Sequence, residues 1–138
     1  MIAIVCVDER NGMLFNNRRQ TKDRVLIKHI VEKVGDCKLW INGFSSNLFK
    51  EYIGEKVDIS EDFYVKAKEN DYCFVEEVSL SPFEDKIDKL IIYNWNRLYP
   101  ADKFLEIQLD KWYLESEKEV KGSSHEKITE RIYLRGNV

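Results

Sequence analysis

The chain opens on a near-continuous apolar run, Ile2-Ala3-Ile4-Val5-Cys6-Val7, closed by Asp8-Glu9-Arg10-Asn11-Gly12. A short run without polar alternation is the pattern of a strand covered on both faces, and the polar stretch after it predicts a turn or loop. From Thr21 the period changes. Val25, Leu26, Ile27, Ile30, Val31 and Val34 recur at three- and four-residue spacing with charges between them. That spacing predicts an amphipathic helix with Thr21 as its N-cap and Gly35 just past its end. Cys37 to Ile41 reads as a short strand. Ser45 or Ser46 then caps a predicted second helix carrying Leu48, Phe49 and Tyr52, and Ser60-Glu61-Asp62 starts a short helix ending near Lys68. Tyr72 to Val75 is a predicted buried strand, Ser81-Pro82 a turn, and Leu90 to Trp95 another strand. No long helical period returns after about residue 88; Phe104, Trp112, Leu114 and then Ile128, Ile132 and Leu134 fit extended segments parted by Gly122-Ser123-Ser124. Strands alternating with helices, then an antiparallel finish, predict an α/β fold with a mixed, mostly parallel sheet flanked by helices.

A length of 138 residues predicts one domain, residues 1–138. Basic and acidic residues nearly balance, 22 against 25 for a net charge of −3, which argues against nucleic acid as a partner. No apolar run approaches the ~20 residues of a membrane span. The N-terminal run lacks a basic start, so it reads as a strand and not a signal peptide, and the expected place is the cytoplasm. Cys6, Cys37 and Cys73 are odd in number and widely spaced, the pattern of reduced thiols. His29 and His125 are the only histidines, and no CxxC, HxH or HExxH occurs. No metal site is therefore expected, and nucleases of the His-rich metallo-β-lactamase type are excluded.

Several segments, in order and spacing over nearly the whole chain, together carry one family resemblance. Ile4-Val5-Cys6-Val7-Asp8, Asn11-Gly12-Met13 and Asn16-Asn17 are similar to the family's first strand and mobile loop. Trp40-Ile41-Asn42-Gly43-Phe44-Ser45-Ser46 is similar to the strand and helix start that carry its Met-Gly-Arg-Lys-Thr motif. Asp88-Lys89-Leu90-Ile91-Ile92, Ala101-Asp102-Lys103-Phe104, Asp110-Lys111-Trp112 and Ile128 to Leu134 follow as its later strands do. The chain is shorter than a usual member, with the shortfall between Tyr52 and Tyr72. The family resembled is dihydrofolate reductase, and the resemblance implies a dihydrofolate-reductase-like fold and, as one function, hydride transfer from NADPH to a pterin-like ring. Three departures bear on that. The family loop's second glycine, proline and tryptophan are missing; Glu76-Glu77 replaces the paired glycines that let backbone approach the nicotinamide; and Phe44-Ser45-Ser46 replaces the Arg-Lys-Thr that meets cofactor phosphates. These favour a protein that binds a small planar ligand, or a protein partner, in the family cleft without being a standard reductase. The alternative is an active NAD(P)H-dependent reductase of a pterin-like substrate.

The candidate residues follow from both readings. With a short gap after Gln20, Asp23 falls where the family holds its substrate-binding acid; by the residues alone it is a first-turn acid favouring the helix dipole. Tyr93 matches the position of the family's threonine that supports that acid. Arg18 and Arg19, with Lys22 and Arg24, form a basic cluster suited to phosphate or carboxylate, or a solvated loop. Ser45 and Ser46 stand at an expected helix start that favours anions. Trp95, in the polar aromatic run Tyr93-Asn94-Trp95-Asn96-Arg97, offers a face for a planar ligand or covers the sheet end. His125 beside Glu126 reads as part of a plain loop.

Overall fold

The computed structural model describes residues 1–136. Its ten strands are β1 (Ile2–Val7), β2 (Gly12–Phe15), β3 (Arg18–Arg19), β4 (Leu39–Ile41), β5 (Val57–Ile59), β6 (Tyr72–Phe74), β7 (Lys89–Asn94), β8 (Lys103–Phe104), β9 (Trp112–Val120) and β10 (Ile128–Arg135); its helices are α1 (Arg24–Val34) and the four-residue α2 (Phe63–Lys66). Seven strands form the main sheet in the order β5-β4-β6-β1-β7-β10-β9. The first five are mutually parallel, and β10 and β9 close the sheet antiparallel. This is the mixed, mostly parallel sheet with antiparallel C-terminal strands that the apolar pattern predicts.

The alternation of β1 sets the two layers. Ile4, with Ile2 and Cys6 beside it, packs toward Leu26, Ile30 and Val34 of α1, while Ala3, Val5 and Val7 join Phe63, Val75, Phe83 and Leu90 on the other face. A strand buried on both faces has no room for polar alternation. Each fully buried large side chain contributes about 1.5–3 kcal/mol, so the apolar run of β1 anchors both cores. A second, three-stranded sheet, β3-β2-β8, sits outside the main one. Its β2–β3 hairpin turns through Asn16 and Asn17, both at positive φ (50° and 60°), the conformation a tight two-residue hairpin needs. The hairpin brings Arg18 and Arg19 back toward the carboxyl ends of the parallel strands.

Two local expectations are corrected. The α1 N-cap is Asp23 and not Thr21: Asp23 has extended backbone, and its Oδ1 accepts the N–H groups of Val25 and Leu26 at 3.0 and 3.1 Å. The helix expected from Ser45 or Ser46 is absent. Residues 42–52 wind instead through successive i→i−3 turns, from Ser45 N–H to Asn42 carbonyl through to Tyr52 N–H to Phe49 carbonyl. Gly43, Ser45, Ser46 and Asn47 are poor helix formers, and the Ser46 hydroxyl donates back to the Gly43 carbonyl at 2.7 Å, competing with a helical ladder. The stretch between Tyr52 and Tyr72 holds edge strand β5 and α2. Among the described residues, no helix is long and apolar enough to cross a membrane.

Candidate functional site

The carboxyl ends of β1, β6 and β7 converge on one cleft, the place where open parallel sheets hold ligands. Its inner wall is built from Cys6 of β1, Phe74 of β6, Trp95 just past β7, and Leu26 and Ile27 of α1, with Glu76 and Arg19 across the opening. The inner cleft encloses about 390 Å³ counting its open side. Room for the centre of a water molecule is only about 20 Å³ of that, enough for about one water. Outside it, between α1 and residues 47–52, the cleft widens to about 400 Å³ by the same measure, lined by Lys22, Arg24, Lys50, Glu51 and Tyr52. The two parts share Arg19, Lys22, Asp23, Ile27 and Leu48. A filled inner cleft thus opens into a roomy, mainly basic mouth.

Arg19 and Glu76 meet across the opening of the inner cleft. The Arg19 guanidinium forks onto Glu76, Nε to Oε2 and Nη2 to Oε1, both at 2.6 Å. Nη2 also points to the Phe44 carbonyl at 3.4 Å, and the guanidinium carbon lies 5.3 Å from the Phe44 ring centroid. Ser45 donates its hydroxyl to Glu76 Oε1 at 2.7 Å. Glu76 is 8% exposed, so its charge is paired and hydrogen-bonded as a buried carboxylate must be. Glu77 beside it is exposed and accepts from Asn42 Nδ2 at 3.0 Å. Gln20 lines the same cleft; its Nε2 donates to Asp8 and the Pro100 carbonyl, while its buried Oε1 has no donor among the described residues.

Asp23 sits at the inner end of α1, 2% exposed. Besides capping the helix, it accepts the backbone N–H groups of Ser123, Ser124 and His125 at 2.9–3.0 Å, both serine hydroxyls at 3.2 Å, and His125 Nδ1 at 3.1 Å. Burial alone raises such a carboxyl, but the hydrogen bonds from Ser123, Leu26 and His125 win and hold it well below the usual carboxylate range. It is therefore an ionised acceptor with its lone pairs taken, fixing the His125 tautomer with Nδ1 protonated. His125 Nε2 then faces the Tyr99 hydroxyl at 3.1 Å, and its ring lies 4.5 Å from Trp95. The approach of Asp23 needs Gly122, because a Cβ there would lie 2.4 Å from Asp23 Oδ2.

The expected site residues thus part company. Arg19, Asp23 and Trp95 line the inner cleft, and Ser45 joins them through Glu76. Arg18 is exposed on the hairpin, by a shallow surface with Phe15, Tyr99 and Pro100. The Ser46 hydroxyl is held by Gly43. Tyr93 is fully buried beneath α1, where it donates to Glu130 at 2.8 Å and not to Asp23. Glu130 in turn faces His29 at 2.9 Å, Lys33 at 3.4 Å and Lys118 at 3.7 Å. Sequence reasoning missed this cluster; the signal for it was an acid in the otherwise apolar register of the last strand. Among the described residues, no group of three His, Cys, Asp or Glu side chains is placed to hold a metal.

The cysteines provide a check on the packing. Burial pushes the Cys73 thiol up to about 12 and that of Cys6 further, while Cys37 is exposed. A thiol reagent at neutral pH is expected to label Cys37 of the native protein quickly, half-buried Cys6 slowly, and buried Cys73 only on unfolding. Fast labelling of Cys6 in the C37S variant contradicts a closed inner cleft.

No family model matches the chain, and no curated protein matches it. Among solved structures it is similar to dihydrofolate reductase from Enterococcus faecalis complexed with NADP(H) and RAB-propyl, with a TM-score of 0.67 over 99% of this chain and 96% of that one. The fold is dihydrofolate-reductase-like. At 14% identity the likeness extends to the fold alone, and it agrees with the resemblance carried by the sequence segments.

Proposed function

We propose that this protein binds a small planar ligand in the cleft beneath α1 and does not carry out nicotinamide-dependent reduction there. The Arg19–Glu76–Ser45 cluster supports this reading. By the resemblance, Glu76 and Glu77 stand where the reductase family leaves paired glycines so that bare backbone can meet a nicotinamide. Here a carboxylate, its guanidinium partner and a serine hydroxyl take up that space within hydrogen-bond distance of one another. Ser45 and Ser46, which the resemblance sets at the cofactor phosphates, donate to Glu76 and to the Gly43 carbonyl. The turns that follow them present no aligned helix N-terminus to an anion. NADPH does not fit the residues present.

The apolar wall of Phe74, Leu26 and Trp95 suits a flat ring that displaces the Arg19 side chain, with a substituent in the mouth among Lys22, Arg24 and Lys50. In this reading Asp23 positions the cleft wall by tying α1 to the 122–125 loop, and Tyr93 serves the Glu130 cluster. A solution of the protein with NADPH and dihydrofolate is expected to lose nicotinamide absorbance no faster than a protein-free control. Sustained turnover contradicts the proposal and favours the active-reductase alternative.

A further inference from the structure

The Arg19–Glu76 pair is built like a bound ligand and its receptor. Glu76 is held at the carboxyl end of β6 in the main sheet, buried, with one oxygen also fixed by Ser45. Arg19 arrives from outside that sheet, on the two-residue edge strand β3 of a hairpin, and its side chain keeps 23% of its surface exposed. It presents a flat fork of N–H donors. The receptor presents a carboxylate in the matching bidentate geometry, a backbone carbonyl at Phe44 and an aromatic face. Gln20, which lines the same cleft, carries a buried Oε1 with no donor among the described residues. Every polar group in this set that is not already a donor to Glu76 is an acceptor, which suits a planar cation rich in N–H groups.

We infer that Glu76, Ser45 and the Phe44 carbonyl form a recognition site for a planar amidinium or guanidinium group, and that Arg19 occupies it in cis. The inference rests on the cleft being the ligand site and specifies what the inner part of it selects. A ligand whose amidinium is joined to a flat ring replaces the Arg19 fork on both Glu76 oxygens. Its ring then lies along the apolar wall of Phe74, Leu26 and Trp95. Arg19 swings out with β3, which is held to β2 through only two residue pairs, Leu14 with Arg19 and Phe15 with Arg18. The native protein is therefore self-occupied, and removal of Arg19 unmasks the site.

The test uses benzamidine, its neutral analogue benzamide, and NADPH as probes. Binding is followed by tryptophan fluorescence and by the shift in melting temperature. Arg19→Ala is expected to bind benzamidine at least about tenfold tighter than wild type does, a change of about 1.4 kcal/mol. Benzamide should gain nothing, and Arg19→Ala/Glu76→Gln should return benzamidine binding to the wild-type level. Arg19→Gln, whose uncharged NH2 group still offers a donor to Glu76, replaces the alanine variant if truncation unfolds the protein. Equal benzamidine binding by wild type and the folded Arg19 variant overturns the inference, as does a gain that survives loss of the Glu76 charge. Equal gains for benzamide and benzamidine overturn the amidinium selectivity while leaving a planar-ligand cleft. Micromolar NADPH binding by wild type overturns the cleft reading itself.

Discussion

Asp23→Ala is expected to destabilise the protein by about 3–5 kcal/mol, the range for removing one partner from a buried, hydrogen-bonded charged cluster. The carboxylate accepts from the backbone N–H groups of Val25, Leu26, Ser123, Ser124 and His125 as well as from the His125 ring. Alanine removes the α1 cap and orphans the amides of a loop a hundred residues away in the chain. Asp23→Asn keeps one acceptor oxygen for the helix but sets an NH2 group against the Ser124 and His125 donors, so it recovers only part of the loss. Urea unfolding followed by tryptophan fluorescence measures both. A loss below about 1 kcal/mol for the alanine variant contradicts the anchoring role, since that is the worth of a single ordinary hydrogen bond.

Glu130→Ala is expected to cost about 2–3 kcal/mol at neutral pH, the worth of hydrogen bonds to a charged group. It leaves the fully buried Tyr93 hydroxyl without its acceptor and removes the carboxylate that His29, Lys33 and Lys118 face. The pH dependence has a definite sign. Burial raises the Glu130 carboxyl, but the hydrogen bonds from His29 and Tyr93 and the charges of Lys33 and Lys118 outweigh it and bring it from the ordinary 4.5 down to about 2. A carboxyl lower in the folded than in the unfolded chain adds stability above its unfolded value, and that stability disappears as pH falls through the folded one. Asp23 acts in the same direction below its ordinary 3.8. Wild-type stability should therefore decline from about pH 4.5 downward. Glu130→Gln, which keeps an acceptor for Tyr93, should lie below wild type at neutral pH, with the gap narrowing as acid is added. A gap that stays constant across that range contradicts the Glu130 contribution.

The parts of this fold legible in the sequence are those whose reasons are local or repetitive. The unbroken apolar run of β1 announces a strand between two layers, and the three- and four-residue spacing from Val25 to Val34 announces α1. The helix expected after Ser45 fails because hydroxyl-bearing and flexible residues at 43–47 bond to their own backbone and to Glu76, which no periodicity reports. Asp23 is conspicuous in the sequence, but its partners at 123–125 are not, so a saturated anchor and an open acid look alike there. Arg19 and Glu76 lie 57 positions apart. The sequence shows a basic loop and an acid where glycine is expected; only the hairpin geometry shows that each is the other's partner. The buried Glu130 cluster is hidden for the same reason, since the pairing of Glu130 with Tyr93 depends on the β10–β7 register.

The central proposal is that the Arg19–Glu76 cluster fills the place where, by the family resemblance, a nicotinamide would lie. Calorimetric titration of NADPH into the wild-type protein tests it most directly. The account predicts no saturable heat from the micromolar into the low millimolar range. Saturable binding with micromolar affinity would contradict it, because the cofactor would then occupy space that these two side chains hold in the native fold.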